Sequence, residues 1–479
     1  MKQVYIRCLL ILLAILLPVG ALASLGFLTP PQYKNTFLGE LSDKYQRLYS
    51  IDEPKIILIG GSSVAFGYNT KLMQEKLGMP VVNFGLYASL GTKIMLDLAA
   101  DSIGKGDIVI LAPEMDPQTL SLYFNGESFW QAADSDFSML SKVAYDNYGA
   151  VLGNYWGYVK EKLYYLQTEM LDPEGVYNEA SFDEYGDIVY ARPQNAIYGY
   201  DRTQIIKLTP DIVDDAFVDY VNQYVSMAKQ KGATVFFTFS PMNEMALAEG
   251  TTDESLWNFF DYMCRTLDCP VISNIHDCIL EAGYFYDSNF HLNDSGVVVR
   301  TVSLIKDIRR ALGITAPMKV SIPEAPPIPE PPQRIDPNDT EASLDADCFL
   351  YEADEKDGRL IVIGVTDEGK LRTELTIPAY YEDKEISTIG EYAFRGCSKL
   401  ERITVQCNVS SIQSRAFADC PSLKTVRMET QGSNVLVNSE TLLDETHASL
   451  QFSVSNDNYT TFVSDYFWTP YASRFIVEE

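Results

Sequence analysis

The chain has 479 residues, 46% of them hydrophobic, and a formal net charge of −29. The length accommodates two or three domains, and the apolar content is ordinary for globular protein. So strong a negative charge disfavours nucleic acid and anionic membrane surface as partners, while saying nothing of the fold.

Lys2 and Arg7 precede an uncharged run from Cys8 to Thr29. That run is long enough to span a bilayer, with the basic residues left on the cytoplasmic side. The competing reading is a cleaved signal peptide, apolar from Leu9 to Leu17, broken at Pro18 and Gly20, with Ala21-Leu22-Ala23 as the cleavage site. Residues 1–29 are thus an anchor or a signal peptide. Either places the rest of the chain outside the cytoplasm, at a bacterial cell surface. No C-x-x-C zinc spacing occurs among the cysteines, and neither a metal nor a cofactor is expected. Cys264 and Cys269 are either a local disulfide or buried thiols.

Residues 30–314 read as an α/β domain. A short helix is expected from Leu38 to Leu48, then a strand from Lys55 to Ile59. Its run Ile56-Ile57-Leu58-Ile59 suits a parallel strand buried on both faces. Gly60-Gly61 permits a sharp turn, and Ser62 follows at the carboxyl edge where open α/β sheets bind ligands. The plainer reading of Ser62 is a helix N-cap. Helices at Lys71–Leu77 and Thr92–Ile103 alternate with strands at Val81–Asn83 and Asp107–Leu111, which argues for a doubly wound parallel sheet.

Residues 116–210 interrupt the alternation and are rich in aromatics, including Phe129, Trp130, Tyr155, Trp156 and Tyr158. So long a stretch needs its own structure, and a mostly helical insertion over the sheet's carboxyl edge is expected. Its aromatics either stack on a sugar or acyl chain or build the insertion's own small core. The alternation resumes with a helix at Asp211–Lys231, a strand at Thr234–Phe239, Asn243 just beyond it, a helix at Asp253–Leu267 and a short strand at Val271–Ile272. Tyr284 to Asn293 then carries Asp287 and His291 before a helix at Ser295–Leu312. The chain holds three histidines, His276, His291 and His447, so a serine needing an imidazole base draws on a short roster.

Gly60-Gly61-Ser62, Asn83-Phe84-Gly85 and the Asp287/His291 block together resemble the SGNH/GDSL hydrolase family over roughly residues 50–312. The resemblance implies a flavodoxin-like α/β fold, Ser62 as nucleophile, His291 as general base and Asp287 as its orienting carboxylate. It also implies an oxyanion hole from the N–H groups of Ser62 and Gly85. Two departures stand out. Asp287 and His291 are four apart where the family has three, and Glu114 stands near the place of the family's third-block Asn. A carboxylate there is expected either to turn away or to accept from a substrate hydroxyl. Asn83, Glu114 and Asn243 are candidates for substrate contact.

Residues 315–341 carry Pro323, Pro326, Pro327, Pro329, Pro331, Pro332 and Pro337, a composition that favours extended backbone and a spacer. Residues 342–479 contain a repeat: Ile389 to Ile403 recurs as Ile412 to Val426, stacking Phe394 over Phe417, Cys397 over Cys420 and Leu400 over Leu423. This A-F-x-x-C-x-x-L pattern closely resembles BspA-type leucine-rich repeats, with Leu360–Ile363 and Leu375–Pro378 as opening rungs and Tyr459–Val477 as a terminal cap. Two functions follow. One is an extracytoplasmic serine esterase or O-acyltransferase acting on acylated carbohydrate or another ester. The other is a surface adhesion protein whose repeats bind a protein or glycan while the α/β domain is inactive.

Overall fold

A computed structural model describes residues 24–168, 175–202, 204–329, 345–354, 358–406, 409–429 and parts of 435–477. The described residues divide into two compact units, one within 24–168 and 179–329 and a second within 345–477 together with 175–178. Both contain parallel sheets. The run Cys8–Ala23 lies outside the described residues, among which no helix is long and apolar enough to cross a membrane.

The first unit starts with α1, Leu25–Leu28, and α2, Glu40–Ser50. Strand β1 is Ile56–Gly60, followed by the short α3, Ser62–Ala65, and by α4, Thr70–Leu77. Asn69 caps α4 by accepting the Leu72 amide, and Gly78 ends it at φ +71°, a conformation that glycine takes without steric cost. Next come β2, Val81–Gly85, α5, Thr92–Ala100, and β3, Ile108–Leu111. Within the insertion, α6 is Gly126–Ala132 and α7 is Tyr148–Thr168. Then follow α8, Asp215–Gln230, β4, Thr234–Phe237, β5, Met242–Asn243, α9, Asp253–Thr266, β6, Ile279–Leu280, and α10, Asp294–Ala311.

The main sheet runs β2-β1-β3-β4, all parallel. Every residue of β1, β2 and β3 is buried, as strands covered by helices on both faces must be. Met73 of α4 and Leu304, Ile305 and Ile308 of α10 pack on Ile56, Leu58 and Ile110. The strand expected at Val271–Ile272 shrinks to a single bridge between Phe237 and Val271, because a proline, Pro270, leads into it.

The insertion is less helical than expected. Among the described residues beyond α7 it is mostly irregular, with 3-10 turns at Glu179–Ser181 and Pro210–Ile212 and isolated bridges at Phe182–Ile188 and Ile206–Leu247. Side chains there satisfy the backbone in place of a helix: Asn195 accepts from the Ile197 and Gly199 amides, and Asp183 from those of Tyr185 and Asp187. The aromatics build the insertion's own core. Phe27 of α1 meets Trp130 and Tyr155, and Trp130 stacks on Tyr158 at 5.1 Å. Beneath them Asp134 is paired with Lys162 at 2.6 Å, with both side chains buried.

Cys264 and Cys269 are free thiols, so the local disulfide is not formed. Residues 315–329 do not behave as the expected spacer. They belong to the first unit: Met318 packs against the sheet core and the Tyr284 hydroxyl donates to Pro323 O at 3.0 Å.

The second unit is a solenoid of mainly parallel strands, with antiparallel pairs where Phe349–Ala353 meets Leu360–Val365 and where Tyr380–Tyr381 meets Lys384–Ile389. Its strands are β7, Phe349–Ala353, β8, Leu360–Val365, β9, Glu374–Ile377, β10, Tyr380–Tyr381, β11, Lys384–Ile389, and β12, Arg402–Val405. They continue with β13, Ser411–Ile412, β14, Thr425–Met428, β15, Leu436–Val437, β16, Gln451–Val454, and β17, Phe475–Val477. One sheet runs β15-β13-β11-β8-β7 and the other β17-β16-β14-β12-β9. Arg402 pairs with Thr425 and Val405 with Met428, which is the repeat offset expressed as register. The Phe394 and Phe417 rings lie 5.6 Å apart, both fully buried. The backbone repeats with them: Tyr392 and Arg415 take φ of 55° and 51° at matching positions. Cys397 and Cys420 are buried free thiols, and Cys420 Sγ donates to Phe394 O. Trp468 is buried at the carboxyl end, its indole N–H on Val435 O at 2.8 Å.

Candidate functional site

Strand β1 delivers its chain to the sheet's carboxyl edge, and Gly60-Gly61 turns it into α3 at Ser62. A side chain on Gly61 would meet the Glu114 carboxylate at 2.5 Å, and one on Gly85 would meet Val64 at 2.3 Å. Both glycines therefore serve close packing around the turn. Ser62 is 7% exposed, and its hydroxyl donates to Glu114 Oε1 at 3.3 Å.

Glu114 lies just past β3 and is 3% exposed. Its Oε1 also accepts the Ser63 amide at 2.7 Å. The expectation that this carboxylate turns away or meets a substrate hydroxyl is thus corrected: it turns inward onto the serine turn. The reason is electrostatic, since the unpaired N–H at the start of α3 attracts an anion.

Asp287 and His291 are brought together. Tyr286 N donates to His291 O at 2.8 Å, and Phe285 bridges Leu292 antiparallel. The chain between them is therefore a tight hairpin, which absorbs the extra residue in the spacing. His291 Nδ1 lies 2.7 Å from Asp287 Oδ1, with both side chains largely buried. The His291 ring stacks on Phe66 with centroids 4.1 Å apart and planes 6° from parallel. Phe66 is the residue that closes α3, so the histidine is seated on the serine's own turn. The Arg192 guanidinium lies over the same Phe66 ring at 5.1 Å. Among the described residues, no hydrogen bond joins Ser62 to His291, which departs from the expected nucleophile–base contact.

The other expected residues have structural partners. Gly85 N–H points at Asn83 Oδ1 at 3.3 Å rather than into an oxyanion site. Asn83 is fully buried and donates to Val64 O and to Asp187 Oδ1 at 3.0 Å. Asn243 donates to Gly199 O and accepts the Met245 amide, so it holds a turn and offers nothing to a substrate. Asn289, between Asp287 and His291, accepts the Asp201 amide and donates to Asp201 O and Gln204 O.

Sequence reasoning missed Asp187, Lys44 and Phe66. Asp187 accepts from Thr70 and Asn83, and burial pushes its carboxyl up to about 6 against those hydrogen bonds. Lys44 is 1% exposed and donates to Asn83 O at 3.2 Å and to Gly186 O. No local pattern marks either: Lys44 looks like a surface residue of an amphipathic helix, and Asp187 sits in an irregular segment. Phe66 was within sight, four residues past Ser62.

The family described as "BspA type Leucine rich repeat region" matches residues 373–454 in six copies. The crystal structure of a leucine-rich repeat protein from Bacteroides ovatus ATCC 8483 is similar at 21% identity over 22% of this chain, with a TM-score of 0.16. The similarity covers 30% of that protein's length. No curated protein matches the chain.

Proposed function

We propose that the α/β unit is an extracytoplasmic serine hydrolase or O-acyltransferase of the SGNH type, working on acyl esters of surface carbohydrate. The observation that carries this reading is the Asp287–His291 pair at 2.7 Å, seated on Phe66 of the serine turn. In this reading Ser62 Oγ turns from Glu114 to His291, which takes its proton as the oxygen attacks an ester carbonyl. Asp287 holds the imidazole and stabilises it once charged. The proton then passes to the leaving alcohol, and water or a sugar hydroxyl takes the acyl group.

The reading also holds the chain to a membrane through residues 8–29. The outer face of α7 supports this: Tyr148, Leu152 and Trp156 are exposed, and no charge interrupts that face before Lys160. α1, the last part of that apolar run, packs against this same helix. Aromatic residues of this kind favour the bilayer interface.

A second reading has its own observation. Glu114 puts a carboxylate where a developing oxyanion would be repelled. The chain would then be a surface interaction protein whose leucine-rich repeats engage a protein or glycan, with the α/β unit as scaffold. Labelling with a fluorophosphonate separates the two. Labelling that Ser62→Ala and His291→Ala abolish supports the enzyme. No labelling of folded protein at any pH from about 6 to 9 leaves the second reading standing.

A further inference from the structure

The amino end of α2 faces the 3-10 turn Glu179–Ser181 across a cavity of about 260 Å³, lined among others by Glu40, Asp43, Lys44, Arg47, Glu179 and Asp183. Carboxylate oxygens of Glu40, Asp43 and Glu179 all lie within 4.8 Å of one another. Glu40 is 4% exposed, yet among the described residues its carboxylate accepts no hydrogen bond and has no ion pair within 4 Å. Of the neighbouring groups, Lys44 and Asp183 are committed elsewhere, while Arg47 Nε is buried without a hydrogen-bond partner. Lys44, one turn further on, donates to Asn83 O and Gly186 O. Arg47 lies 4.9 Å over the Tyr185 ring, and Asp183 Oδ1 accepts two backbone amides.

A buried carboxylate turned into a cavity without a donor is costly, and neighbouring carboxylates raise that cost. A hard divalent cation relieves all of this at once. Calcium takes oxygen ligands at about 2.3–2.6 Å, so two oxygens that share it lie at most about 5 Å apart.

We propose that Glu40, Asp43 and Glu179 bind one divalent cation of the calcium type. The ion clamps the irregular half of the insertion onto α2. Glu179 is already placed for this, because its amide donates to Asn35 O at 3.0 Å. The far side of the clamp reaches the serine turn through Lys44, Gly186 and Asp187. The proposal stands apart from the ester reading, since the clamp orders the fold whether or not Ser62 reacts.

The test uses the full chain in detergent, stripped with EGTA and titrated with calcium chloride. Calorimetry should show one ion per chain with a dissociation constant on the order of 10⁻⁴–10⁻³ M, and calcium should raise the melting temperature of the α/β unit. Glu40→Gln and, separately, Glu179→Gln should weaken binding about tenfold or more by removing ligand charge. Glu254→Gln, at an exposed position of α9, should leave binding unchanged. If Glu40→Gln does not fold, Glu179→Gln, at a less buried position, decides alone. Neither heat nor a melting shift at about 10 mM calcium, or an undiminished response in Glu179→Gln, overturns the proposal.

Discussion

Glu114 Oε1 accepts the Ser63 amide at 2.7 Å, so the residue that departs from the SGNH pattern is built into the serine turn itself. Glu114→Gln keeps an acceptor for that amide and loses the negative charge. It should preserve the fold and raise turnover of a small acetyl ester. A fall of about a hundredfold would instead give Glu114 a proton-transfer role.

The Asp287–His291 pair makes a second kinetic prediction. Asp287→Asn should reduce ester turnover by up to about 10⁴-fold, because the amide presents the wrong partner to Nδ1–H. Phe66→Ala should reduce it less, by loosening the ring that Phe66 supports. Equal, small losses in both would mean that the pair only packs the hairpin.

Phe417 tests the solenoid. It is fully buried and lies 5.6 Å from Phe394, so Phe417→Ala should cost about 3–5 kcal/mol. Calorimetry should show the repeat unit's transition falling and that of the α/β unit unchanged. A cost below about 1 kcal/mol would mean that the rung collapses around the cavity without loss.

Asp187 predicts a pH dependence. Its carboxyl is raised from 3.8 to about 6 by burial, so the folded state binds its proton more tightly than the unfolded chain does. Stability from this group is complete below about pH 4 and is lost as pH rises towards about 6, by up to about 3 kcal/mol. Asp187→Asn should flatten that fall in denaturant melts of the α/β unit. An unchanged slope would assign it to other groups, with Glu40, also raised by burial, contributing at higher pH.

Limited proteolysis checks the border of the first unit. Residues 315–329 lie on that unit through Met318 and Pro323, so they should remain on its fragment. A stable fragment ending before residue 315, read by mass, would mean that these contacts are dispensable.

Much of this molecule is legible from local pattern. Unbroken apolar runs such as Ile56–Ile59 specify strands buried on both faces, and Gly78 marks a helix end, because these signals depend on near neighbours in the chain. The 23-residue repeat is the strongest signal, since stacking forces equivalent residues into register: Phe394 on Phe417, Arg402 beside Thr425. Asp287 and His291 are likewise local, and their meeting needs only the hairpin between Phe285 and Leu292.

What local pattern could not decide is where a buried charge finds its partner across the chain. Glu114 could turn away or inward, and only β3 lying beside β1 places it against the Ser63 amide. Asn83 looked available to a substrate until Val64 and Asp187 took its amide hydrogens. Residues 315–329 read as a spacer by composition, yet the groove beside α10 and Tyr284 gives them partners. In each case the sequence supplied the chemistry of the group, while the outcome hung on desolvation and hydrogen bonding between residues far apart in the chain.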